Sequence, residues 1–156
     1  MHEICTPAFL GRRQQHKEFR MQFAMDFRPK EEYEEAGVAL VQDDRYHYTF
    51  TVRQKDGARV LTLTEVKNHA RTVLAETPLE QDGRIYLTVT ATAEGYHFYY
   101  GFRDQEFRLL CKDADPTLLS SLVNEGFTGT YIGMYATSNH NASSNYADFD
   151  WVLYEA

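Results

Sequence analysis

Gly126-Phe-Thr-Gly-Thr-Tyr-Ile-Gly-Met-Tyr-Ala-Thr-Ser-Asn139, followed after a short gap by Asn145-Tyr-Ala-Asp-Phe-Asp-Trp-Val-Leu-Tyr154, decides the fold of this chain. The stretch reads as a glycine-pivoted loop, a strand, a polar turn and a closing strand. In a strand successive side chains point to opposite faces. Phe149, Trp151 and Leu153 are therefore expected on one face and Asp148 and Asp150 on the other. This predicts a sheet edge with a mixed aromatic and acidic finish.

The same period of two runs upstream. Phe19, Met21, Phe23, Met25 and Phe27 alternate with Arg20, Gln22, Ala24 and Asp26, which predicts a strand with one buried face. Tyr46, Tyr48, Phe50 and Val52 share a face in the next clear strand, and Asp56-Gly57 is a type I′ hairpin signal leading into Val60 to Val66. Further strands are expected at 36–41, 72–75, 85–91, 96–102 and 107–110, and only Pro116 to Val123 looks helical, for one or two turns. About ten short strands without alternating helices predict an all-β antiparallel sandwich or jelly roll. At 156 residues the chain is expected to form one domain, 1–156.

Sixteen Lys and Arg against 23 Asp and Glu give a net charge of −7, which repels phosphate backbones and anionic membrane surfaces. Nucleic acid and membrane are excluded as expected partners. Residues 1–15 hold no apolar stretch of secretory length, and the expected location is cytoplasmic. Cys5 and Cys111 are too few for a disulfide scaffold and read as free thiols.

Few residues carry a chemical signature. Glu-x-Asp-x-x-Glu, which on one strand would place carboxylates across a sugar bond, is absent. The acidic run Glu31, Glu32, Glu34, Glu35 follows Pro29 and reads as a solvated charged turn. His2, His16, His47, His69, His97 and His140 lack zinc-site spacing, and no phosphate loop or serine-nucleophile elbow occurs. Asp148 and Asp150 offer hard oxygen ligands of the kind calcium takes, or they are solvated or paired with Arg12 or Arg13. Phe127, between Gly126 and Thr128-Gly129, lacks the alternating apolar company of a core phenylalanine.

Together with Pro7-Ala-Phe-Leu-Gly-Arg-Arg-Gln-Gln-His16 and Glu35-Ala-Gly-Val-Ala-Leu40, the C-terminal stretch resembles the C-terminal concanavalin-A-like β-sandwich of family 43 β-xylosidases and α-arabinofuranosidases. The resemblance runs from about Pro7 to Tyr154. It implies a partner domain, a five-bladed β-propeller that carries the three catalytic carboxylates, and a xylo-oligosaccharide substrate. It also implies that Phe127 reaches the mouth of the propeller's active site and lines the substrate pocket, unless its ring folds over its own loop. A calcium site in such domains involves a terminal aspartate pair, here Asp148 and Asp150, and an early acidic residue.

No catalytic residue is therefore expected in this chain, which by itself should be inactive and need no cofactor. It looks like the trailing part of a longer enzyme, lacking the propeller and the first strand of the sandwich. The resulting expectation is a non-catalytic domain of a xylan β-1,4-xylosidase-like hydrolase that completes the active-site pocket. A carbohydrate-binding module, or an orphan interaction protein from an interrupted gene, is the alternative. A missing first strand would leave Tyr146 to Tyr154 as an unpaired edge, which predicts a homodimer by edge-strand pairing or by exchange of the N-terminal segment.

Overall fold

In the computed structural model, which describes residues 7–120 and 129–156, each period-two segment is a strand. The strands are β1 (Ala8–Arg13), β2 (Phe19–Asp26), β3 (Glu35–Asp43), β4 (Tyr46–Lys55), β5 (Ala58–Lys67), β6 (Ala70–Pro78), β7 (Ile85–Thr92), β8 (Gly95–Gly101), β9 (Arg108–Ala114), β10 (Tyr131–Thr137) and β11 (Asp148–Glu155). One sheet has the order β1-β10-β3-β4-β5-β6 and the other β11-β2-β7-β8-β9. Every pairing is antiparallel. The domain is an all-β sandwich, as the alternation predicts.

The core lies between the sheets. Phe23 and Met25 of β2, Leu87 and Val89 of β7 and Phe98 of β8 meet Val38, Leu40, Tyr48, Phe50, Leu61 and Leu63 of the opposite sheet. The Phe98 ring stands edge-on to Phe50 at 5.2 Å between centroids and tilts against Tyr48 at 6.0 Å. Tyr48 is fully buried, and its hydroxyl is satisfied by donating to the Asp115 carbonyl at 2.8 Å.

Local turn chemistry joins these strands. Asp56 and Gly57 both have positive φ, 51° and 77°, as a type I′ hairpin requires. Asn68 and His69 make the same kind of turn between β5 and β6, with φ of 49° and 67°. That turn is silent in the sequence because it lacks glycine.

Three details refine the sequence reading. The described residues form eleven strands, in keeping with the ten or so expected. The additional one is β1, whose six residues are all exposed and so carry no apolar alternation. The helical segment is a single 3-10 turn, Pro116–Leu119, capped by the Asp115 side chain; residues 121–123 lie outside the described residues.

The third is a correction and concerns β11. Its register against β2 shifts between Phe149 and Trp151, so Asp150 is the extra residue of a β-bulge. Phe149 faces Met25 and the core, but Trp151 and Leu153 oppose Ala24 and Gln22 on the outer face. Trp151 there packs against Tyr86, 5.9 Å between ring centroids. The expected common face of Phe149, Trp151 and Leu153 is broken by one inserted residue.

The cross-sheet aromatic contact should dominate stability. Phe98→Ala is expected to cost about 3–5 kcal/mol in urea unfolding, whereas Leu10→Ala, at a side chain 69% exposed on β1, should cost less than about 1 kcal/mol. Equal losses would show that the core is not centred on Phe98.

Candidate functional site

Phe127 lies outside the described residues; the groups on either side of it are well defined. Thr130 Oγ1 donates to the Leu119 carbonyl at 3.1 Å, and the Gln14 amide donates to the Thr130 carbonyl at 2.8 Å. The two feet of the 121–128 segment are thus tied to each other and to the chain after β1. Gly129 has a specific role here, because a Cβ on it would lie 2.6 Å from Arg13 Nε. Beside these feet opens a depression of about 600 Å3 lined by His16, Lys17, Tyr96, Pro116, Ser120 and Thr130 among others.

Polar contacts order this end of the sandwich. Tyr96 OH donates to Gln14 Oε1 at 2.9 Å, and burial pushes its phenol up to about 12, with a Thr130 hydrogen bond opposing. His16 Nδ1 and Tyr154 OH are 2.8 Å apart, and the Arg12 guanidinium sits 4.0 Å from the Tyr154 ring centre. The depression is therefore a hydroxyl-bearing wall with the opposite charges of Lys17 and Glu18 rather than a pair of acids. It can hold and orient a polar ligand, and the groups described supply no nucleophile with its base.

Asp148 and Asp150 do not make a calcium shell with the described residues. The bulge turns Asp150 towards Arg84, whose Nη1 donates to Asp150 Oδ2 at 2.8 Å while Nη2 donates to Asp26 Oδ2 at 2.8 Å. Two hydrogen-bonded carboxylates hold the Arg84 guanidinium firmly charged. Arg84, rather than Arg12 or Arg13, is the cation at this position. Among the described residues no three His, Cys, Asp or Glu side chains gather as a metal site.

The acidic run departs most from its sequence reading. Glu31 and Glu32 are exposed, but Glu34 and Glu35 are buried. Glu34 accepts from Ser143 Oγ at 2.7 Å, from Asn145 Nδ2 at 2.8 Å and from the amides of Lys30 and Glu31 at 2.8 and 3.4 Å. Burial raises its pKa, yet the four hydrogen bonds outweigh that and hold the carboxyl at about 2. A solvated turn was the expectation because a run of acids resists burial; four donors from two loops remove that objection. Glu35, the next residue, faces the other way and is pushed above the usual carboxylate range by burial, with Arg71 and Arg53 opposing. No feature of the run distinguishes these two residues, since the two side-chain donors to Glu34, Ser143 and Asn145, lie more than a hundred residues away.

Comparisons with known proteins agree along the whole chain. The family described as β-xylosidase C-terminal concanavalin A-like domain matches residues 1–155. A non-reducing end α-L-arabinofuranosidase of Bacteroides ovatus, BoGH43B, is 34% identical over 146 residues, covering 94% of this chain and 27% of that protein. A xylosidase/arabinosidase of Butyrivibrio fibrisolvens is 27% identical, covering 96% of this chain and 29% of its own. Among solved structures, a Bacteroides ovatus xyloglucan-locus GH43B superposes with a TM-score of 0.84 at 33% identity, covering 94% of this chain and 29% of the other. A Bacillus halodurans xylan β-1,4-xylosidase superposes at 0.88 with 22% identity, covering 97% and 30%, and so shows the fold. The chain spans under a third of the length of these relatives.

The low pKa of Glu34 fixes a pH window. Its carboxyl titrates near 4.5 when unpaired and about 2 when folded, so its stabilisation is complete above about 4.5 and is lost as pH falls towards 2. In urea melts, wild type should exceed Glu34→Gln at pH 6 and the gap should close by about pH 2.5. A gap that stays constant with pH would refute the carboxylate's role.

Proposed function

The chain belongs to the β-xylosidase C-terminal concanavalin A-like domain family, and from that premise we propose that it is the non-catalytic C-terminal domain of a xylan β-1,4-xylosidase-like glycoside hydrolase. In that enzyme it completes the active-site pocket, supports a five-bladed β-propeller, and meets the xylo-oligosaccharide through Phe127. The observation that carries this reading is one of proportion. The chain aligns over nearly its full length yet spans only 27% and 29% of two relatives named for xylosidase or arabinofuranosidase activity. A catalytic domain fits in the remainder. The hydrogen bond from Thr130 to the Leu119 carbonyl supports the pocket role, because it joins described residues that precede and follow Phe127 in the chain.

Two assays test this together. The 156-residue chain alone should not hydrolyse aryl xyloside or aryl arabinofuranoside, and Phe127→Ala in a complete enzyme should lower kcat/KM while leaving the thermal midpoint unchanged. Turnover by the isolated chain that one carboxylate substitution abolishes would overturn the non-catalytic reading. A lowered midpoint with wild-type kinetics would assign Phe127 to packing.

We further propose that the chain forms a homodimer by edge-strand pairing. Among the described residues β11 has a single neighbour, β2, and exposes Val152 and Leu153; β1 is the edge of the other sheet. Unpaired strand edges of this kind accept a second strand, and a two-fold pairing covers both at once. Light scattering should give twice the 18.1 kDa monomer mass at tens of micromolar. A monomer at that concentration would sink the proposal.

A further inference from the structure

The outward face of the six-stranded sheet carries a trough unused by the function proposed above. Cross-strand register sets Tyr135, Gly37, Thr51 and Thr62 in one row, and Gly133, Ala39, Thr49 and Thr64 in the next. Small side chains in two adjacent rows make a sunken floor. Gly37 cannot be replaced without filling it against its neighbour, since a Cβ there would lie 2.1 Å from the Phe50 carbonyl oxygen. The floor is covered although it faces outwards: Ala39 is buried, and so are all four threonines.

Above Thr62 and Thr64 the trough deepens into a cavity of about 360 Å3, walled by Glu35, Arg53, Arg71 and Asn139. That volume falls within the range of small-molecule clefts. Glu35 is only 8% exposed, and its carboxylate accepts no hydrogen bond from a described residue; Arg71 and Arg53 act on it through charge alone. Arg53 is committed to Glu76 and Thr62, whereas Arg71 makes no hydrogen bond or ion pair among the described residues. The hydroxyls of Thr49, Thr51 and Thr64 likewise have no partner among them.

Glu35 and Thr64 open onto the cavity, and neither has a hydrogen-bond partner among the described residues. A ligand that replaces water there must both donate and accept. It should also be close to neutral, because the two carboxylates lining the cavity, Glu32 and Glu35, are matched by Arg53 and Arg71, which disfavours a phosphate or an amine. Farther along the first row stands Tyr135, and opposite it Phe9, whose ring lies over Gly11. Aromatic surface continuing a polar trough suits a ligand made of rings with apolar faces and hydroxylated rims.

We propose that this trough binds an oligosaccharide chain, with Glu35 and Arg71 holding the hydroxyls of one sugar ring over Thr62 and Thr64 and later rings running towards Tyr135 and Phe9. This is a second saccharide site, on the sheet face, distinct from the Phe127 contact proposed above. Choosing a β-1,4-linked pentose chain as ligand rests on the glycosidase reading above; the trough itself does not.

Amide chemical-shift titrations of the 156-residue chain with xylohexaose and with cellohexaose test it. Saturable shifts should centre on β3, β4 and β5, and Arg71→Ala and Glu35→Gln should each weaken binding by about tenfold or more with a folded spectrum retained. Arg71 is exposed, so its variant decides the matter if Glu35→Gln fails to fold. Cellohexaose binding with the same sensitivity, and no xylohexaose binding, would uphold the trough and count against the pentoside reading. No saturable binding of either sugar, or binding that Arg71→Ala leaves unchanged, would overturn the proposal.

Discussion

The contact of Tyr48 and Phe50 on β4 with Tyr96 and Phe98 on β8 sets the separation of the two sheets, and the other features take their position from it. Tilted and edge-on rings at these distances interlock rather than slide. Tyr48 also reaches out of the core to the Asp115 carbonyl, which seats the 3-10 turn, and Leu119 of that turn is tied to Thr130. One buried tyrosine therefore links the hydrophobic centre to this end of the sandwich. The trough depends on the same strands from behind, since Thr49 and Thr51 alternate with Tyr48 and Phe50 along β4.

Where period-two alternation was strong, the sequence placed the inward residues. Phe19, Met21, Phe23 and Met25 of β2 and Tyr48, Phe50 and Val52 of β4 follow it, but the opposite face is wet only towards the strand ends, because Gln22, Ala24, Thr49 and Thr51 are buried as well. The sequence was insufficient where geometry depends on distant partners. Strand β1 has no buried face and exists through its ladder with β10. The inserted Asp150 obeys local alternation on both sides, and only the register against β2 reveals it.

The candidate sites were legible to the same extent. Asp148 and Asp150 could be singled out as carboxylates on the last strand, but not the Arg84 that takes Asp150, contributed from 66 residues away. Glu34 and Glu35 are neighbours with opposite environments: one carboxylate saturated with donors, the other buried with none among the described residues. Burial of the first is structural, tying the 138–146 loop to the 28–34 loop, while the second is met only by the charges of Arg71 and Arg53 across a cavity. Such an asymmetry marks where a ligand would complete the structure.

The bulge on β11 also limits what the sheet edge can become. An uninterrupted edge of eight residues would offer a template for strand after strand, the geometry of fibres. The extra residue at Asp150 breaks the regular spacing of N–H and C=O groups near the start of the strand and increases its local twist. An incoming strand finds an even ladder only from Trp151 to Glu155, and Arg84 holds the kink by its ion pair to Asp150. A bulge held in this way works against strand-after-strand growth at this edge.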